Sequence, residues 1–115
     1  MIIAIVDDMF FKSKIRAVAE AVGTEISFPR TQDALLQKAR EAKPQLIIVD
    51  LHNQKIDGVT LATELKSDEE LRAIPLLGFF SHVQTELQRT ALAAGFDQVI
   101  PRSVFARDLS KILSV

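Results

Sequence analysis

The stretch 45–50 reads Gln-Leu-Ile-Ile-Val-Asp, and it constrains the fold more than any other part of the chain. Four consecutive apolar residues suit a strand that has neighbours on both sides and is packed on both faces, as in a parallel sheet. The run then stops on a carboxylate, Asp50. In an open α/β sheet, ligands bind in the crevice outside the carboxyl ends of the strands, so we expect Asp50 to stand at the mouth of a site.

A second apolar run, from Ile2 to Val6, ends in the same way with Asp7 and Asp8. If the two runs form neighbouring strands, three carboxylates converge on one pocket. An Asp at the end of a single strand is often only a solvated turn residue or a helix cap. Two acidic strand ends in one chain favour a functional pocket, and Asp7, Asp8 and Asp50 are its candidate residues.

The rest of the chain alternates between strand-like and helix-like periods. The other predicted strands are 24–28, 76–80 and 96–100. The helices between them carry apolar stripes, such as Phe11, Ile15, Val18 and Val22 in the first. Thr31 is placed to cap the second helix. The fourth covers 83–94, and Ser103 is placed to cap the last, whose stripe is Phe105, Leu109 and Ile112. Five strands alternating with five helices predict a parallel sheet with right-handed crossovers and helices on both faces.

Composition excludes several classes of protein. The length of 115 residues predicts one domain over 1–115, and the absence of cysteine excludes disulfides, thiolate metal sites and a thiol nucleophile. No apolar run approaches the roughly 20 residues of a membrane span, and no cleavage signal follows Met1, so we expect a cytoplasmic protein without a membrane partner. A net charge of −1 with scattered Lys and Arg argues against direct nucleic-acid binding.

The order of these elements and motifs resembles the receiver domain of bacterial two-component response regulators, over essentially the entire chain. The resemblance implies an α/β, flavodoxin-like, five-stranded parallel sheet in the order 2-1-3-4-5 with helices on both faces. The residues that carry it are Asp7-Asp8 after the first strand, Asp50 after the third, Asp57-Gly58 seven and eight residues later, and Gly95-Phe96-Asp97 before the fifth.

The resemblance also implies a chemistry. In the family, the residue that matches Asp50 takes a phosphoryl group from a histidine kinase or a small phosphodonor and forms an aspartyl phosphate. Three carboxylates would repel that group, so a cation is required, and Mg²⁺ suits oxygen ligands. Asp8 and Asp50 would be direct ligands, with Asp7 acting through a water and His52 through its backbone carbonyl.

As a receiver, the chain would act in a phosphorelay and not as an independent enzyme. Its expected partners are a histidine kinase or phosphotransfer protein on one side and a downstream protein target or output domain on the other. An enzyme of another kind is disfavoured because the four glycines are isolated and no Ser-His-Asp set is evident.

Two positions of the fourth and fifth strands depart from the family pattern. The family has Thr or Ser where this chain has Phe80, and Ser81 follows one residue later as the nearest candidate hydroxyl. We expect the switch hydroxyl to be absent, because a slip in register would turn the whole strand over. Val99 stands where family members often carry a mobile aromatic residue.

The third departure follows the fifth strand, where Arg102-Ser103 replaces the family's Lys-Pro pair. Arg keeps the charge but is planar and longer, so the exchange is not neutral. Without the proline we expect no cis peptide and a remodelled loop. Contact of Arg102 with the phosphoryl group and a surface position pointing away from the pocket are both open.

Two alternatives compete with a phosphorylated receiver. The first is a pseudo-receiver, which acts as a protein interaction module through its fourth and fifth helices irrespective of phosphate. The second is a transition-metal site that joins His52 and His82 to Asp8 and Asp50, although loop histidines are more often simply solvated. Phe10, two residues beyond Asp8, is placed to shield the pocket from water.

Overall fold

The computed structural model of the chain describes residues 1–81 and 85–115. Their strands form one sheet in the order β2-β1-β3-β4-β5, and each neighbouring pair is parallel. The strands are β1 (Ile2–Ile5), β2 (Ile26–Ser27), β3 (Leu46–Asp50), β4 (Leu76–Phe80) and β5 (Gln98–Pro101). The fold class and strand order expected from the sequence are therefore confirmed.

Helices cover both faces of this sheet and bury two apolar layers against it. The helices are α1 (Met9–Ala21), α2 (Gln32–Ala42), α3 (Gly58–Ser67), α4 (Thr85–Ala94), α5 (Arg102–Arg107) and α6 (Leu109–Leu113). The layer on one face packs side chains of α2, α3 and α4 against Ile3, Ile47 and Phe80. The layer on the other face packs α1, α5 and α6 against Ile2, Ile48 and Phe79. The predicted beginning of the fourth helix, at 83, lies outside the described residues.

Side-chain caps fix where the first three helices begin. The Thr31 hydroxyl accepts a hydrogen bond from the Ala34 amide at 3.0 Å, as predicted. Asp8 caps α1, and Asp57 caps α3 by accepting from the Val59 amide at 3.0 Å. These bonds satisfy amides that have no partner within the helix. Among the helices of residues 1–81 and 85–115, none has the length and apolar character needed to cross a membrane.

Two predicted strands are shorter in the structure. β2 pairs only Ile26 and Ser27 with β1, whereas a strand over 24–28 was expected. Thr24 is outside the sheet: its amide donates to the Ala19 carbonyl of α1 at 2.8 Å, and its hydroxyl donates to the Leu113 carbonyl at 2.6 Å. β5 begins at Gln98 and not at 96, because Phe96 leaves the strand direction to bury its ring against α3 and β4.

The expectation of one final helix capped by Ser103 is wrong. Helix α5 already begins at Arg102, so Ser103 lies inside its first turn. The helix then breaks at Asp108, which ends α5 and precedes α6. Asp108 departs from helical geometry with φ −99° and ψ 16°, and both of its carboxylate oxygens accept hydrogen bonds from the neighbouring Arg107, at 3.0 and 3.1 Å.

Candidate functional site

The acidic residues meet at one edge of the sheet because β1 and β3 are adjacent and in register. Ile5 is the partner of Val49, so the residues that follow these strands emerge side by side. The structure thus brings Asp7, Asp8 and Asp50 to a common edge. Asp7 lies close enough to Asp50 for its negative charge to contribute to the raised pKa of Asp50.

Asp50 is the buried member of this acidic cluster, with an exposed fraction of only 7%. Burial raises the pKa of Asp50 above its ordinary value, because it penalises the charged form. The backbone amide of His52 opposes this effect by donating to Asp50 Oδ1 at 2.9 Å, and the positive charge of Arg102 opposes it further. The site therefore holds a carboxylate that is poorly solvated but oriented by the chain.

Asp8 has both carboxylate oxygens engaged by the protein itself. Oδ1 accepts from the Phe10 amide at 2.9 Å and the Phe11 amide at 3.1 Å, which caps α1. Oδ2 accepts from Arg102 Nη2 at 3.0 Å. The hydrogen bond from Arg102 is the main reason that the pKa of Asp8 lies below its ordinary value.

Arg102 lies against Asp8 in the acidic cluster, so a surface position pointing away from the pocket is not what the structure shows. It is the first residue of α5, and its guanidinium carbon lies 4.1 Å from the centre of the Phe11 ring. This distance suits a cation–π contact. Arg102 therefore binds Asp8 with one edge and stacks on Phe11 with its face.

The Phe11 ring belongs to a packed aromatic trio formed by Phe11, Phe79 and Phe105. The rings of Phe79 and Phe105 are stacked with their centres 4.6 Å apart, and Phe11 meets each of them edge-on at 5.5 and 5.7 Å. All three are buried. The three packed rings connect α1, β4 and α5, and Arg102 lies over the Phe11 ring of this group.

A second ion pair, which the sequence did not indicate, joins Lys55 to Asp7. Lys55 Nζ lies 3.6 Å from Asp7 Oδ1, and both side chains are largely exposed. A cleft of about 290 Å³ opens beside this pair, and Lys12 and Arg30 also line it. Lys55 lies in the loop after β3, and no motif in the sequence marks it as a site residue.

The end of β4 lacks a hydroxyl directed at Asp50. Phe79 is the register partner of Asp50, so the next residue, Phe80, points to the opposite face of the sheet. Phe80 is buried there in the same layer as Val99. Ser81 follows the strand and is exposed.

The remaining sequence expectations concern the loops around the site. His52 is partly buried and contributes its backbone amide to Asp50, whereas His82 lies outside the described residues. Phe10 is 90% exposed, so in this structure it does not shield the pocket as expected. All peptide bonds of the described chain are trans, including the one between Arg102 and Ser103, and α5 begins directly at this point.

The donors in the cluster fit a hard cation better than a soft one. Within residues 1–81 and 85–115, no group of three or more His, Asp or Glu side chains is arranged to hold a metal ion. Carboxylate, carbonyl and water oxygens are nevertheless what Mg²⁺ prefers, and it commonly takes only one or two carboxylates. Asp8 Oδ2 accepts one hydrogen bond from Arg102 and keeps a further lone pair that could bind such a cation.

Comparison with known proteins points to one family. A model of the response regulator receiver domain matches residues 2–114. The response regulator protein VraR of Staphylococcus aureus is 36% identical over 75 residues, which are 65% of this chain and 35% of VraR. The chain thus spans about a third of the length of the curated relatives it matches.

Solved structures show the same fold at lower identity. The chemotaxis response regulator CheY4 of Vibrio cholerae superposes with a TM-score of 0.82 at 18% identity, over 97% of this chain and 93% of that one. The Mn²⁺-bound form of response regulator Rcp1 gives 0.77 at 20% identity, over 98% and 88%. With the strand order, the acidic edge and the family match in agreement, this chain belongs to the response regulator receiver domains of two-component systems.

Proposed function

We propose that this receiver accepts a phosphoryl group on Asp50 in a phosphorelay. The observation that carries the proposal is the placement of Asp50, a buried carboxylate at the end of β3 beside two further acids. Loss of solvation makes a carboxylate a better nucleophile than the same group in water. The hydrogen bond from the His52 amide fixes its rotation.

In the proposed reaction, a carboxylate oxygen of Asp50 attacks the phosphorus of a phosphohistidine on the donor. The new O–P bond forms as the P–N bond breaks, and the electron pair stays on the imidazole nitrogen, which then takes up a proton. This transfer needs mainly positioning and charge stabilisation from the protein. The chain therefore serves as an acceptor in signalling and not as an independent enzyme.

Positive charge for the transfer would come from both a metal and the chain. Mg²⁺ would neutralise charge on the phosphoryl oxygens. Asp8 and Asp50 would hold it directly, Asp7 through a water, and His52 through its backbone carbonyl. Arg102, whose positive charge already acts on Asp50, would interact with the incoming anion. Ser81 is the nearest hydroxyl along the chain to the end of β4.

The proposed partners follow from this role. A histidine kinase or phosphotransfer protein would supply the phosphoryl group, and a downstream protein target or output domain would receive the signal. The curated relatives extend well beyond the matched segment, which leaves room in those proteins for an output region.

The test is phosphoryl uptake from acetyl phosphate with Mg²⁺, measured by intact mass spectrometry. We expect one added phosphoryl group on the wild-type protein and none on Asp50→Asn. The matched control is Asp33→Asn, which removes an exposed carboxylate in the first turn of α2 and should leave uptake unchanged. Equal uptake by Asp50→Asn and the wild type would assign the acceptor to another residue.

A second function, the phosphorylation-independent interaction module, is favoured by one observation. Phe80 and Val99 are both packed in the buried layer on the face opposite Asp50, so the family's mobile hydroxyl and aromatic residue are replaced by fixed apolar side chains. Such a module would bind its partner with the same affinity before and after treatment with the phosphodonor. A phosphoreceiver would change that affinity, and Asp50→Asn would abolish the change.

A further inference from the structure

The cleft beside Asp7 is separate from the position at which Asp50 would accept a phosphoryl group. It opens at the carboxyl ends of β2, β1 and β3, and its volume is about 290 Å³. Neither Asp8 nor Asp50 is among the described residues that line it. The volume is close to the lower end of the range for small-molecule sites, so a ligand of this cleft would be small.

Three basic side chains line the cleft from three different segments of the chain. Lys12 belongs to α1, Arg30 follows β2 and Lys55 follows β3. The carboxylate of Asp7 opposes them, but its 3.6 Å pair with Lys55 is exposed, and such pairs contribute little because water screens them. The cleft therefore concentrates positive charge on a chain whose net charge is −1.

Contacts outside the cleft help to position two of these cations. Lys12 Nζ lies 5.7 Å from the centre of the Phe28 ring, which suits a cation–π contact. The loop that carries Lys55 is fixed by Asn53, whose Oδ1 accepts from the amides of Lys55 at 2.8 Å and Ile56 at 3.1 Å. A ligand would thus meet charges that the fold already holds near their places.

The floor of the cleft is apolar. Ile5, Val6 and Ile56 line it, and none of them is more than 6% exposed. Met9 stands at the rim with 70% of its surface exposed, and its flexible side chain can adapt to an apolar group. A matching ligand therefore combines an anionic group for the basic side chains with an apolar group for the floor.

A phosphate monoester suits three cations better than a carboxylate does. It offers three acceptor oxygens and nearly two negative charges at neutral pH, whereas a carboxylate offers two oxygens and one charge. We propose that the cleft binds a small, soluble organic phosphate monoester whose apolar or aromatic group lies on the floor. This binding needs neither Mg²⁺ nor chemistry at Asp50, so it goes beyond the proposed function.

The test is a titration of the whole chain with phenyl phosphate in the presence of EDTA, followed by amide NMR. We expect saturable shifts at Lys12, Arg30 and Lys55. Arg30→Gln and Lys12→Gln should each bind about tenfold more weakly than the wild type, because each loses a charge-assisted hydrogen bond. The matched control is Lys14→Gln, which removes an exposed charge of α1 that does not line the cleft and should leave the affinity unchanged.

Two further probes separate the parts of the ligand. Inorganic phosphate lacks the apolar group and phenol lacks the charge, so both should bind more weakly than phenyl phosphate. Inorganic phosphate that binds as tightly would overturn the role of the apolar floor. No saturable shift with phenyl phosphate, or equal losses in Lys12→Gln and Lys14→Gln, would overturn the site, while phosphoryl uptake on Asp50 from acetyl phosphate would be unaffected.

Vesicles of phosphatidylcholine with phosphatidic acid distinguish a soluble ester from a lipid headgroup. We expect no cosedimentation, because a headgroup anchored in a bilayer cannot bring its apolar chains to the floor of a concave cleft. Cosedimentation that Arg30→Gln abolishes would overturn the soluble ligand and assign the cleft to a membrane surface. Circular dichroism of each variant checks that these changes at exposed or half-buried positions leave the fold intact.

Discussion

Asp50 is a charged residue in a place that disfavours charge. Its exposed fraction is 7%, and burial outweighs the stabilising hydrogen bond from His52 and the charge of Arg102, so its pKa is raised. A raised carboxylate pKa means that the folded protein holds the proton more tightly than the unfolded chain. Asp50, the proposed phosphoryl acceptor, therefore lowers the stability of the fold at neutral pH.

We predict that Asp50→Asn raises the thermal midpoint at pH 7, because the amide removes the buried charge and keeps the shape. Each 1 kcal/mol gained would raise the midpoint by about 4 °C in a domain of this size. The wild type loses stability relative to the variant as pH rises through the folded pKa of Asp50, and the difference should vanish below the ordinary value of 3.8. Thermal unfolding of both proteins across this pH range is the measurement.

The control for this prediction is Asp33→Asn, an exposed change that should alter stability by no more than about 0.5 kcal/mol. A midpoint for Asp50→Asn below that of the wild type at pH 7 would contradict the argument. It would mean that the hydrogen bond and the nearby cations outweigh burial.

At the scale of elements, the turn at residues 95–97 joins α4 to β5 and is one of the motifs that carry the family resemblance. Each of its three residues makes a distinct structural contribution. Gly95 ends α4 with φ at +122°, a conformation that other residues rarely adopt. The Phe96 ring lies against Gly78 of β4, where an added Cβ would come within 3.2 Å of it. Asp97 exchanges two bonds with Leu76: its carboxylate accepts from the Leu76 amide at 2.8 Å, and its amide donates to the Leu76 carbonyl at 2.9 Å.

We predict that Asp97→Ala destabilises the fold by about 1–3 kcal/mol, because it leaves the partly buried Leu76 amide without its side-chain acceptor. The matched control is Asp97→Asn, which keeps a carbonyl oxygen in the same place and should recover most of the loss. Urea unfolding of the three proteins measures both effects. Equal losses for Asn and Ala would show that the charge of Asp97, which lies 3.8 Å from Lys66, matters more than the hydrogen bond.

For the molecule as a whole, the sheet lies between two separate apolar layers, one on each face. Ile47 of β3 lies in the layer between the sheet and helices α2, α3 and α4. Ile15 of α1 lies in the layer between the sheet and helices α1, α5 and α6. Both side chains are fully buried. Substitutions in separate layers share no partners, so their effects on stability should be independent.

We predict that Ile47→Val and Ile15→Val each cost about 0.5–1.5 kcal/mol and that the double variant costs their sum to within about 0.5 kcal/mol. Urea unfolding measures all three values. A double variant that departs from the sum by more than this would show that strain passes through the sheet from one layer to the other.

The meeting of the acids at one edge could be predicted because it follows from two apolar runs that stop on carboxylates, whereas the strand order was predicted from the resemblance to receiver domains. The pairing of charges within that edge could not. In the sequence, Arg102 and Lys55 are two of many basic residues. The connection between β5 and α5 brings Arg102 to Asp8, and the loop after β3 brings Lys55 to Asp7. The break at Asp108 was missed for the same reason, since a stripe of apolar residues continues across it.

The two outer strands limit how this molecule can associate. β2 offers only two residues, and β5 ends on Pro101, which has no amide hydrogen to give. Short edges and proline discourage the addition of a further strand from another chain. We therefore expect recognition of this receiver to read the side chains on its surface, and its sheet to resist the edge-to-edge stacking that leads to aggregation.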